Sequence, residues 1–384
     1  MIVEQVSLAD FRNYMRADVS FGAGPTVLVG RNGQGKTNLA EAIVYLSAVG
    51  SHRVSTDAPL VREGADAAIV RARLAHGDRR VQLEVQINKQ GANRARVNGA
   101  AIKTAELARY AQVVLFAPED LQIVRGDPSA RRRFADTLLV QRSPRLAGVL
   151  ADYDRVLRQR NALLKSARAR GVRGDALATL DVWDDKLCAL GTEILEARIR
   201  LTDELSRPLA HAYASIAGAD HDPRLDWALS IRSADPEADP ASAPEGTAAP
   251  AADQFRAALA AARTAELERG VTLVGPHRDD LVVRIKGLPV RGYASHGESW
   301  STALALRLAS AELLRAQSTL GDPVLVLDDV FAELDADRRV RLAEVAGSYE
   351  QTIVTAAVEE DVPVALRART VRIEAGTIRE PADA

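Results

Sequence analysis

Eight consecutive residues near the start of the chain have the types and spacing of a loop that wraps the phosphates of a nucleoside triphosphate. They fit the pattern GxxxxGK[ST] and are Gly30, Arg31, Asn32, Gly33, Gln34, Gly35, Lys36 and Thr37. The glycines let backbone N–H groups turn toward phosphate oxygens, Lys36 would reach the outer phosphates, and the Thr37 hydroxyl would take a Mg²⁺ position. We therefore expect all eight residues to bind nucleotide.

The segments on either side of this loop match the elements that such a loop requires. Residues 26–29 form an apolar run typical of a strand, and residues 38–46 have the composition of a helix. The motif is meaningful only where a strand enters the loop and a helix leaves it. This context favours a phosphate site over a chance glycine turn.

A second candidate site follows far along the chain, where an apolar run ends in two carboxylates. Residues 323–327 are typical of a buried strand, and Asp328 and Asp329 follow directly. We expect Asp328 to hold Mg²⁺ through a water and Asp329 to polarise an attacking water. So late a second motif favours one ATPase head split by an insertion over a simple kinase or small GTPase. Residues 88–91 lack the acid that guanine recognition needs, so GTP is disfavoured.

A small polar turn lies between these two motifs and leads into a helical pattern. It reads Ser295, His296, Gly297, Glu298, and residues 301–315 carry leucines at helical spacing. Free amides at a helix N-terminus suit an anion, although a simple helix cap has the same sequence. In ABC-type heads such a turn contacts the terminal phosphate held by the opposing subunit. The position between two phosphate motifs favours this role for Ser295 and Gly297.

Taken together, these motifs and several others make the chain resemble the RecF family, bacterial recombination mediators of the ABC/SMC class of ATPases. The resemblance covers nearly the whole chain. The phosphate loop is common to many families, whereas three other segments in this order are specific. They are Phe-Arg-Asn-Tyr at 11–14, Ser-His-Arg at 51–53 and Gly-Pro-His-Arg-Asp-Asp at 275–280.

The resemblance implies an α/β fold, a P-loop ABC-type ATPase head of mixed sheet and helices with an inserted α-helical domain. It implies an ATP- and Mg²⁺-dependent protein that binds single- and double-strand DNA, forms a homodimer on ATP and acts at single-strand gaps and junctions. Its partners would be RecR and RecO, which together help to load RecA in repair, replication and the SOS response. A weak DNA-stimulated ATPase would serve as a timing switch.

Two positions depart from the general ABC pattern in a way that predicts slow hydrolysis. Asp329 stands where transporter ATPases carry Glu, so the attacking water would be placed differently. Thr355 stands at the switch position that is often His, which removes a titratable contact to the terminal phosphate. Both substitutions favour a timing ATPase over a transport motor.

Other residues have roles only through the resemblance, and for each an alternative stays open. Arg12 would contact phosphate or adenine, or else make a surface salt bridge. Residues 51–53 would lie near nucleotide or DNA, or in a solvated loop. His277 and Arg278 would touch nucleotide or DNA, or stabilise a tight turn. Glu119 and Asp120 occupy the region where the wider class places a Mg²⁺-sensing glutamine, and no clear glutamine stands there beyond Gln122.

We expect the head to comprise residues 1–124 and 265–384, and the helical insertion residues 125–264. Residues 233–253 are rich in Ala, Pro and acidic residues, and this composition predicts a disordered loop. Runs at 271–274 and 281–285 are expected to be strands that return to the head.

The charge distribution suggests where DNA would bind. The formal net charge is only −2, but residues 125–175 contain thirteen Lys or Arg and five Asp. Such a stretch could neutralise DNA phosphates, and its candidates are Arg131, Arg132 and Arg133. A solvated helix face has the same composition.

The remaining features bear on location and on alternative functions. The single cysteine, Cys188, allows no internal disulfide, and the chain shows neither a signal peptide nor an apolar run long enough for a membrane span. We expect a cytoplasmic protein with no membrane contact of its own. The alternatives are the soluble nucleotide-binding subunit of an ABC transporter and a structural SMC-like subunit. The basic insertion and Thr355 weigh against the first, and the lack of a long coiled coil weighs against the second.

Overall fold

The computed structural model describes residues 1–54, 56–170, 178–232, 250–319 and 321–379. The chain divides into two compact units. Unit 1 contains Met1–Leu121, Pro208–His221 and His296–Ala384, and unit 2 contains Gln122–Arg207 and Asp222–Ser295.

The described residues form fifteen strands and nine helices. The strands are β1 Ile2–Phe11, β2 Tyr14–Ser20, β3 Gly24–Val29, β4 Ala67–His76, β5 Arg79–Asn88, β6 Arg94–Val97, β7 Ala100–Ile102, β8 Val113–Phe116, β9 Arg224–Ala228, β10 Asp280–Ile285, β11 Leu288–Pro289, β12 Val324–Asp328, β13 Gln351–Ala356, β14 Arg369–Glu374 and β15 Thr377–Arg379. The helices are α1 Lys36–Ala48, α2 Leu121–Arg125, α3 Pro128–Arg142, α4 Arg145–Ala169, α5 Ala178–Ala217, α6 Ala251–Arg269, the single turn α7 Val290–Tyr293, α8 His296–Gln317 and α9 Ala336–Gly347.

Unit 1 contains two six-stranded sheets. The first is antiparallel throughout and has the order β2-β1-β4-β5-β6-β7. Its strands alternate between buried apolar and exposed polar side chains, as in β4, so one face packs on the core and the other meets water.

The second sheet of unit 1 positions the phosphate loop. Its order is β15-β14-β3-β13-β12-β8, and every pairing is parallel except that of β14 with β15. Its central strands β12 and β13 are buried along their whole length, as expected for parallel strands covered on both faces. The strand β13 lies between β3, which leads into the phosphate loop, and β12, which ends at Asp328. Ligands of such sheets bind at the carboxyl ends of the strands.

Unit 2 is mainly helical, but it also holds a small antiparallel sheet of order β11-β10-β9. The sequence predicted the strand at 281–285 but assigned it to the head. The strand β10 instead pairs with β9, so residues 222–295 belong to unit 2 and the head resumes at His296 rather than at 265. The end of α5 from Pro208 belongs to unit 1, which the sequence did not predict.

The predicted strand at 271–274 is wrong. These residues are a loop in which two backbone N–H groups bond to side chains instead of to a neighbouring strand. The Thr272 N–H donates to Asn161 Oδ1 and the Leu273 N–H to Glu266 Oε1, both at 2.8 Å. Side-chain acceptors thus satisfy an apolar segment that would otherwise need a sheet.

The predicted disordered loop at 233–253 falls largely on residues 233–249, which lie outside the described residues. Its last residues are ordered, because α6 already begins at Ala251, with Asp253 in its first turn. Within the described ranges, the helices are all too short or too polar to cross a lipid bilayer.

Candidate nucleotide-binding site

The phosphate loop connects β3 to α1, as the sequence predicted, and its conformation depends on glycine. Gly33 and Gly35 have φ values of 80° and 119°, a left-handed region that side chains disfavour. Arg31, Asn32 and Gly33 are exposed, while the helix α1 begins at Lys36 directly behind them. The loop therefore presents backbone at the N-terminus of a helix, where an anion is stabilised.

Two glycines of the loop allow a close approach of neighbouring chain. A Cβ atom at Gly30 would lie 2.3 Å from the carbonyl oxygen of Ile373, and one at Gly35 would lie 2.7 Å from the Tyr14 hydroxyl. Neither distance is compatible with a side chain. Gly30 and Gly35 are thus required by packing as well as by the phosphate motif.

The lysine of the motif lies inside the loop. Lys36 is 3% exposed, and its Nζ donates to the Arg31 carbonyl oxygen at 3.4 Å. A phosphate oxygen is a stronger acceptor than this distant carbonyl, because bonds between ionised groups are shorter and stronger. The Lys36 ammonium therefore lies within the phosphate loop, where a bound phosphate could replace the Arg31 carbonyl as its acceptor.

The two predicted motifs meet at the ends of β3 and β12. Thr37 Oγ1 donates to Asp328 Oδ1 at 3.0 Å, and Thr355 Oγ1 donates to the same oxygen at 2.6 Å. The Asp329 N–H in turn donates to Thr355 Oγ1 at 2.9 Å. The residues that sequence reasoning assigned to Mg²⁺ and to the switch position therefore form one hydrogen-bonded cluster.

The carboxyl group of Asp328 is destabilised in its charged form. Burial raises its pKa to about 6, and the negative charges of Asp329 and Glu119 act in the same direction. The hydroxyl groups of Thr355 and Thr37 lower the pKa but do not offset the burial. A hydroxyl beside a buried carboxylate is a set of hard oxygen donors that fits Mg²⁺, and a cation there would stabilise the charged carboxylate.

Asp329, the predicted catalytic carboxylate, has a left-handed backbone. Its φ and ψ are 51° and 19°, and the residue is only half-buried. Left-handed geometry at a residue other than glycine is strained and is enriched at functional sites. This backbone conformation marks a change of structure between the two neighbouring acids. Asp328 ends the strand β12, whereas Asp329 precedes a 3₁₀ turn.

Arg12 makes an internal salt bridge. Its guanidinium donates to both carboxylate oxygens of Glu41 at 2.7 and 2.8 Å, and Glu41 also accepts from Ser51. Burial works to raise the pKa of Glu41, but the bonds from Arg12 and Ser51 and the nearby charge of Arg53 prevail, so the pKa is lowered. The salt-bridge alternative describes this geometry, and contact of Arg12 with nucleotide stays a prediction.

Glu41 is a residue that sequence reasoning missed. It is fully buried on α1, one turn beyond the phosphate loop, and links segments 11–14 and 51–53 to that helix. Arg53 also donates to Asn38 Oδ1 at 2.9 Å, so the Ser-His-Arg segment lies against the start of α1. The sequence did contain a signal for this residue, because Glu41 is the one acid in the largely apolar segment 38–46.

The signature turn falls at the division between the units. Ser295 is exposed at the end of unit 2, and Gly297 lies in the first turn of α8 in unit 1. A Cβ atom at Gly297 would lie 3.0 Å from the guanidinium of Arg338 on α9. Glycine thus allows this arginine to approach the N-terminus of α8.

The three predicted DNA-binding arginines differ in environment. Arg131 is 3% exposed and donates to both carboxylate oxygens of Asp280 and to the Gly126 carbonyl. Arg132 is half-buried and donates to the Asp279 carbonyl oxygen at 2.7 Å. Arg133 is the exposed member. Two of the three therefore serve packing inside unit 2, and Arg133 is the one that can reach DNA without breaking such contacts.

Most of the Gly-Pro-His-Arg-Asp-Asp segment is buried in unit 2, whereas Arg278 is exposed and donates to the Thr272 carbonyl oxygen at 3.3 Å. His277 Nδ1 lies 2.8 Å from the Tyr153 hydroxyl, and burial lowers the His277 pKa to about 3. Asp279 is fully buried and accepts from the N–H and hydroxyl of Ser230, while burial raises its pKa to about 6. The turn-stabilising alternative fits these residues.

Near Glu119, the structure separates two neighbouring acids. Asp120 is buried, accepts from Arg307 at 2.6 Å and from the Ala117 N–H at 3.0 Å, and so stabilises the turn after β8. Glu119 is exposed, and its charge acts on Asp328. The charge of Glu119 therefore acts on the proposed Mg²⁺ site.

Comparison with known proteins identifies the family to which the chain belongs. The RecF/RecN/SMC N-terminal domain family matches residues 2–379. The DNA replication and repair protein RecF of Leifsonia xyli is 60% identical over 99% of this chain and its own full length, and that of Frankia alni is 53% identical over 98% of this chain and 99% of its own. The chain belongs to the RecF family.

Solved structures of RecF and of an Smc head have the same fold as this chain. A RecF–ATPrS structure described as a recombination mediator of the RecFOR pathway superposes with a TM-score of 0.85 at 28% identity, covering 99% of this chain and 98% of that one. A RecF–ATP structure gives the same TM-score at 27% identity. An Smc head with an extended coiled coil, at 17% identity and a TM-score of 0.51, shares the fold alone. The predicted α/β ABC-type head is therefore confirmed.

Proposed function

We propose that this chain is an ATP-dependent DNA-binding recombination mediator that forms a head-to-head homodimer when ATP fills both sites and releases DNA after slow hydrolysis. The observation that carries the proposal is the hydrogen-bonded cluster of Thr37, Asp328 and Thr355 at the end of the phosphate loop. It brings together two motifs from opposite ends of the chain, and the bound ATP in the RecF–ATP relative supports the same ligand here.

The phosphate loop supplies most of the binding. Backbone N–H groups of residues 30–37 and the Lys36 ammonium would hold the phosphates of ATP. The Thr37 hydroxyl and the Asp328 carboxylate would hold Mg²⁺, which neutralises charge on the phosphates. Asp328 must be ionised for this, so its raised pKa makes binding weaker in acid.

Hydrolysis would be slow and would act as a timer. Asp329 is the proposed group that polarises the attacking water. Its left-handed backbone turns the chain away from the direction of β12. The hydroxyl of Thr355, at the switch position, donates its hydrogen bond to Asp328. The site therefore has one proposed base and a threonine rather than a histidine at the switch position, which supports a weak ATPase. Stimulation of this activity by DNA is part of the proposal.

Pairing of two heads would use the turn before α8. Ser295 is exposed, and Gly297 lies in the first turn of α8, close to the guanidinium of Arg338. We propose that they bind the terminal phosphate of ATP held by the second copy, so that ATP joins the two heads. We also propose that Arg12, whose guanidinium is held by Glu41, contacts the nucleotide.

DNA contact is proposed at two exposed basic regions. One is Arg133 on α3. The other is the solvent face of the first sheet, which carries six arginines but only three acids. The arginines are Arg16, Arg71, Arg73, Arg80, Arg94 and Arg96, and the acids are Glu4, Asp18 and Glu84. Five of these arginines pair with the three acids, and the excess of three positive charges suits a phosphate backbone.

The cellular role is carried over from the family. The relatives' names place them in DNA replication and repair and in the RecFOR pathway. We propose single-strand gaps and junctions as the DNA target, RecR and RecO as partners, help in loading RecA and an effect on the SOS response, in the cytoplasm and without a membrane partner.

The test is binding to gapped duplex and to single strands with no nucleotide, ADP, ATP or a slowly hydrolysed ATP analogue, with the mass of the protein measured by light scattering. Tight DNA binding by a dimer in the ATP forms supports the proposal. Lys36→Ala should shift both effects to higher ATP concentrations, whereas Lys89→Ala, at an exposed lysine after β5, should not. Dimer formation without DNA affinity would contradict it and favour the transporter-type subunit.

A further inference from the structure

The phosphate loop is held by a hairpin from the far end of the chain. The strands β14 and β15 pair as an antiparallel hairpin, and its turn consists of Ala375 and Gly376. We infer that this turn, acting through Gln34, positions the phosphate loop for nucleotide binding. The inference rests on the proposed nucleotide site and assigns it a positioning element that the phosphate motif does not contain.

Three contacts join the loop to the hairpin and to the first hairpin of the chain. The Ala375 N–H donates to Gln34 Oε1, and the Gly376 N–H donates to the Gln34 backbone carbonyl at 3.1 Å. The same carbonyl accepts from Asn13 Nδ2 at 3.1 Å. Gln34 is thus held through both its side chain and its backbone by residues at opposite ends of the sequence.

These contacts determine the direction of the next amide. In a planar trans peptide the carbonyl of one residue and the N–H of the next point in opposite directions. Because Gly376 and Asn13 hold the Gln34 carbonyl, the N–H of Gly35 is turned away from both. Without these contacts, the peptide between Gln34 and Gly35 could rotate and point the Gln34 carbonyl oxygen at the phosphates. A carbonyl oxygen repels phosphate oxygens.

The following peptide is oriented in the same way. The Gly35 carbonyl accepts from the Tyr14 hydroxyl at 3.0 Å and from the Leu39 N–H at 2.9 Å. The N–H of Lys36 is therefore directed away from Tyr14. Two successive N–H groups of the loop are oriented by donors outside it, before any ligand binds.

The hairpin turn adopts an unfavourable backbone to make these contacts. Ala375 and Gly376 have φ values of 46° and 74°, as a two-residue hairpin turn of the primed type requires. Glycine or asparagine is normal at the first of these positions, and alanine is disfavoured. A Cβ atom at Gly376 would lie 3.0 Å from the Asn13 carbonyl oxygen, so the turn is pressed against the first hairpin.

The test compares three variants. Gln34→Leu removes the side-chain acceptor, and Gly376→Ala forces the turn away from Asn13. Arg379→Ala is the control, since Arg379 is exposed in the same hairpin, pairs with Glu374 at 3.0 Å and is not one of the residues that bond to Gln34. We measure Kd for ATP and ADP, KM and kcat for ATP, and amide exchange at Gly35 and Lys36 without nucleotide.

The first two variants should raise Kd for both nucleotides and KM about tenfold, as expected when one or two orienting hydrogen bonds are lost. Their kcat should be unchanged, because binding is lost equally in the ground and transition states. Amide exchange at Gly35 and Lys36 should become faster, whereas the control should match the wild type in every measurement.

Two results would overturn the inference, and they differ in what else they overturn. Folded Gln34→Leu and Gly376→Ala proteins with Kd within twofold of the wild type would show that the hairpin contributes only to stability. A wild-type protein that binds neither ATP nor ADP would overturn the inference together with the proposed function. Should Gly376→Ala fail to fold, Gln34→Leu, at a partly exposed loop residue, decides the question.

Discussion

The phosphate site of unit 1 and the charged interior of unit 2 are built from similar residues but treat them differently. In unit 1, the exposed loop residues Arg31 and Asn32 stand before a helix N-terminus, and the cluster around Asp328 has a raised pKa. In unit 2, Arg160 is fully buried and donates to Glu266 at 2.6 Å, to Asp184 at 2.6 Å and to Thr272 at 2.8 Å. At the phosphate site of unit 1, the opposite charges would come from a bound ligand. In the interior of unit 2, the charged side chains neutralise one another.

The difference explains why a basic motif does not by itself indicate a ligand. Arg131 and Arg198 each form a fork with an aspartate of the same unit, Asp280 and Asp136 respectively. Such bidentate pairs are strong because both groups are ionised and geometrically matched. The charge excess of residues 125–175 therefore overstates the charge that unit 2 offers to DNA.

The largest expected effect breaks the interior of unit 2. Arg160→Met would leave Glu266 buried without its cation, and we expect a loss of about 3–5 kcal/mol of unfolding free energy. The measurement is urea unfolding followed by circular dichroism.

Its control is Arg155→Met, since Arg155 forms an exposed pair with Asp152 on the same helix. That pair should contribute about 0–1 kcal/mol. Equal losses in the two variants would contradict the structural role of Arg160.

The next effect separates binding from stability in unit 1. Lys36→Ala should weaken ATP binding about 10- to 100-fold, corresponding to the loss of a charge-assisted hydrogen bond of about 1.5–3 kcal/mol. Titration calorimetry in the presence of Mg²⁺ would measure it, with Lys89→Ala as the control. Unchanged affinity in Lys36→Ala would place the phosphates elsewhere.

A smaller effect is the pH dependence of unit 2, where two buried groups act in opposite directions. The pKa of Asp279 is raised to about 6, so its contribution to stability is present below about 4 and is lost as pH rises through 6. The pKa of His277 is lowered to about 3, so its contribution is present above about 6.5 and is lost as pH falls toward 3.

Substitution should reveal each of these slopes. Between pH 4 and 6, Asp279→Asn should gain unfolding free energy relative to the wild type as pH rises, by at most about 1.4 kcal/mol per pH unit. His277→Gln should change in the opposite direction over the same range. Urea unfolding at several pH values checks both, and parallel pH profiles for the three proteins would contradict the assigned pKa shifts.

The smallest effect tests the exposed arginine of α3. Arg133→Ala should leave unfolding free energy within about 0.5 kcal/mol of the wild type, weaken DNA binding similarly for all sequences, and reduce the slope of log K against log salt by about one. A salt titration of DNA binding measures this. An unchanged slope would remove Arg133 from the DNA interface and favour the arginines of the first sheet.

Sequence alone was sufficient where a motif and its flanking elements agree. The phosphate loop between β3 and α1, the strand that ends at Asp328 and the long helix after Ser295 were all predicted, because each motif has a required local context. The meeting of Thr37 with Asp328 followed from the parallel sheet that places their strands two positions apart.

Sequence was insufficient where side chains replace backbone partners. The loop at 271–274 has strand composition, but side-chain acceptors on Asn161 and Glu266 satisfy the N–H groups of Thr272 and Leu273. The boundary between the units at residue 296 likewise depends on the pairing of β9 with β10. The local sequence of residues 224–228 does not predict this pairing. The brace on Gln34 joins residues 13, 34 and 376, and only the fold brings these together.

The most direct test of the contrast between the two units is amide hydrogen exchange with and without ATP and Mg²⁺. We predict slower exchange in residues 30–37 when ATP is present and no change in residues 275–280, whose charged groups already have partners. Protection of 275–280 with none in 30–37 would contradict the account, because it would make the interior of unit 2 the ligand site and leave the phosphate loop without a ligand.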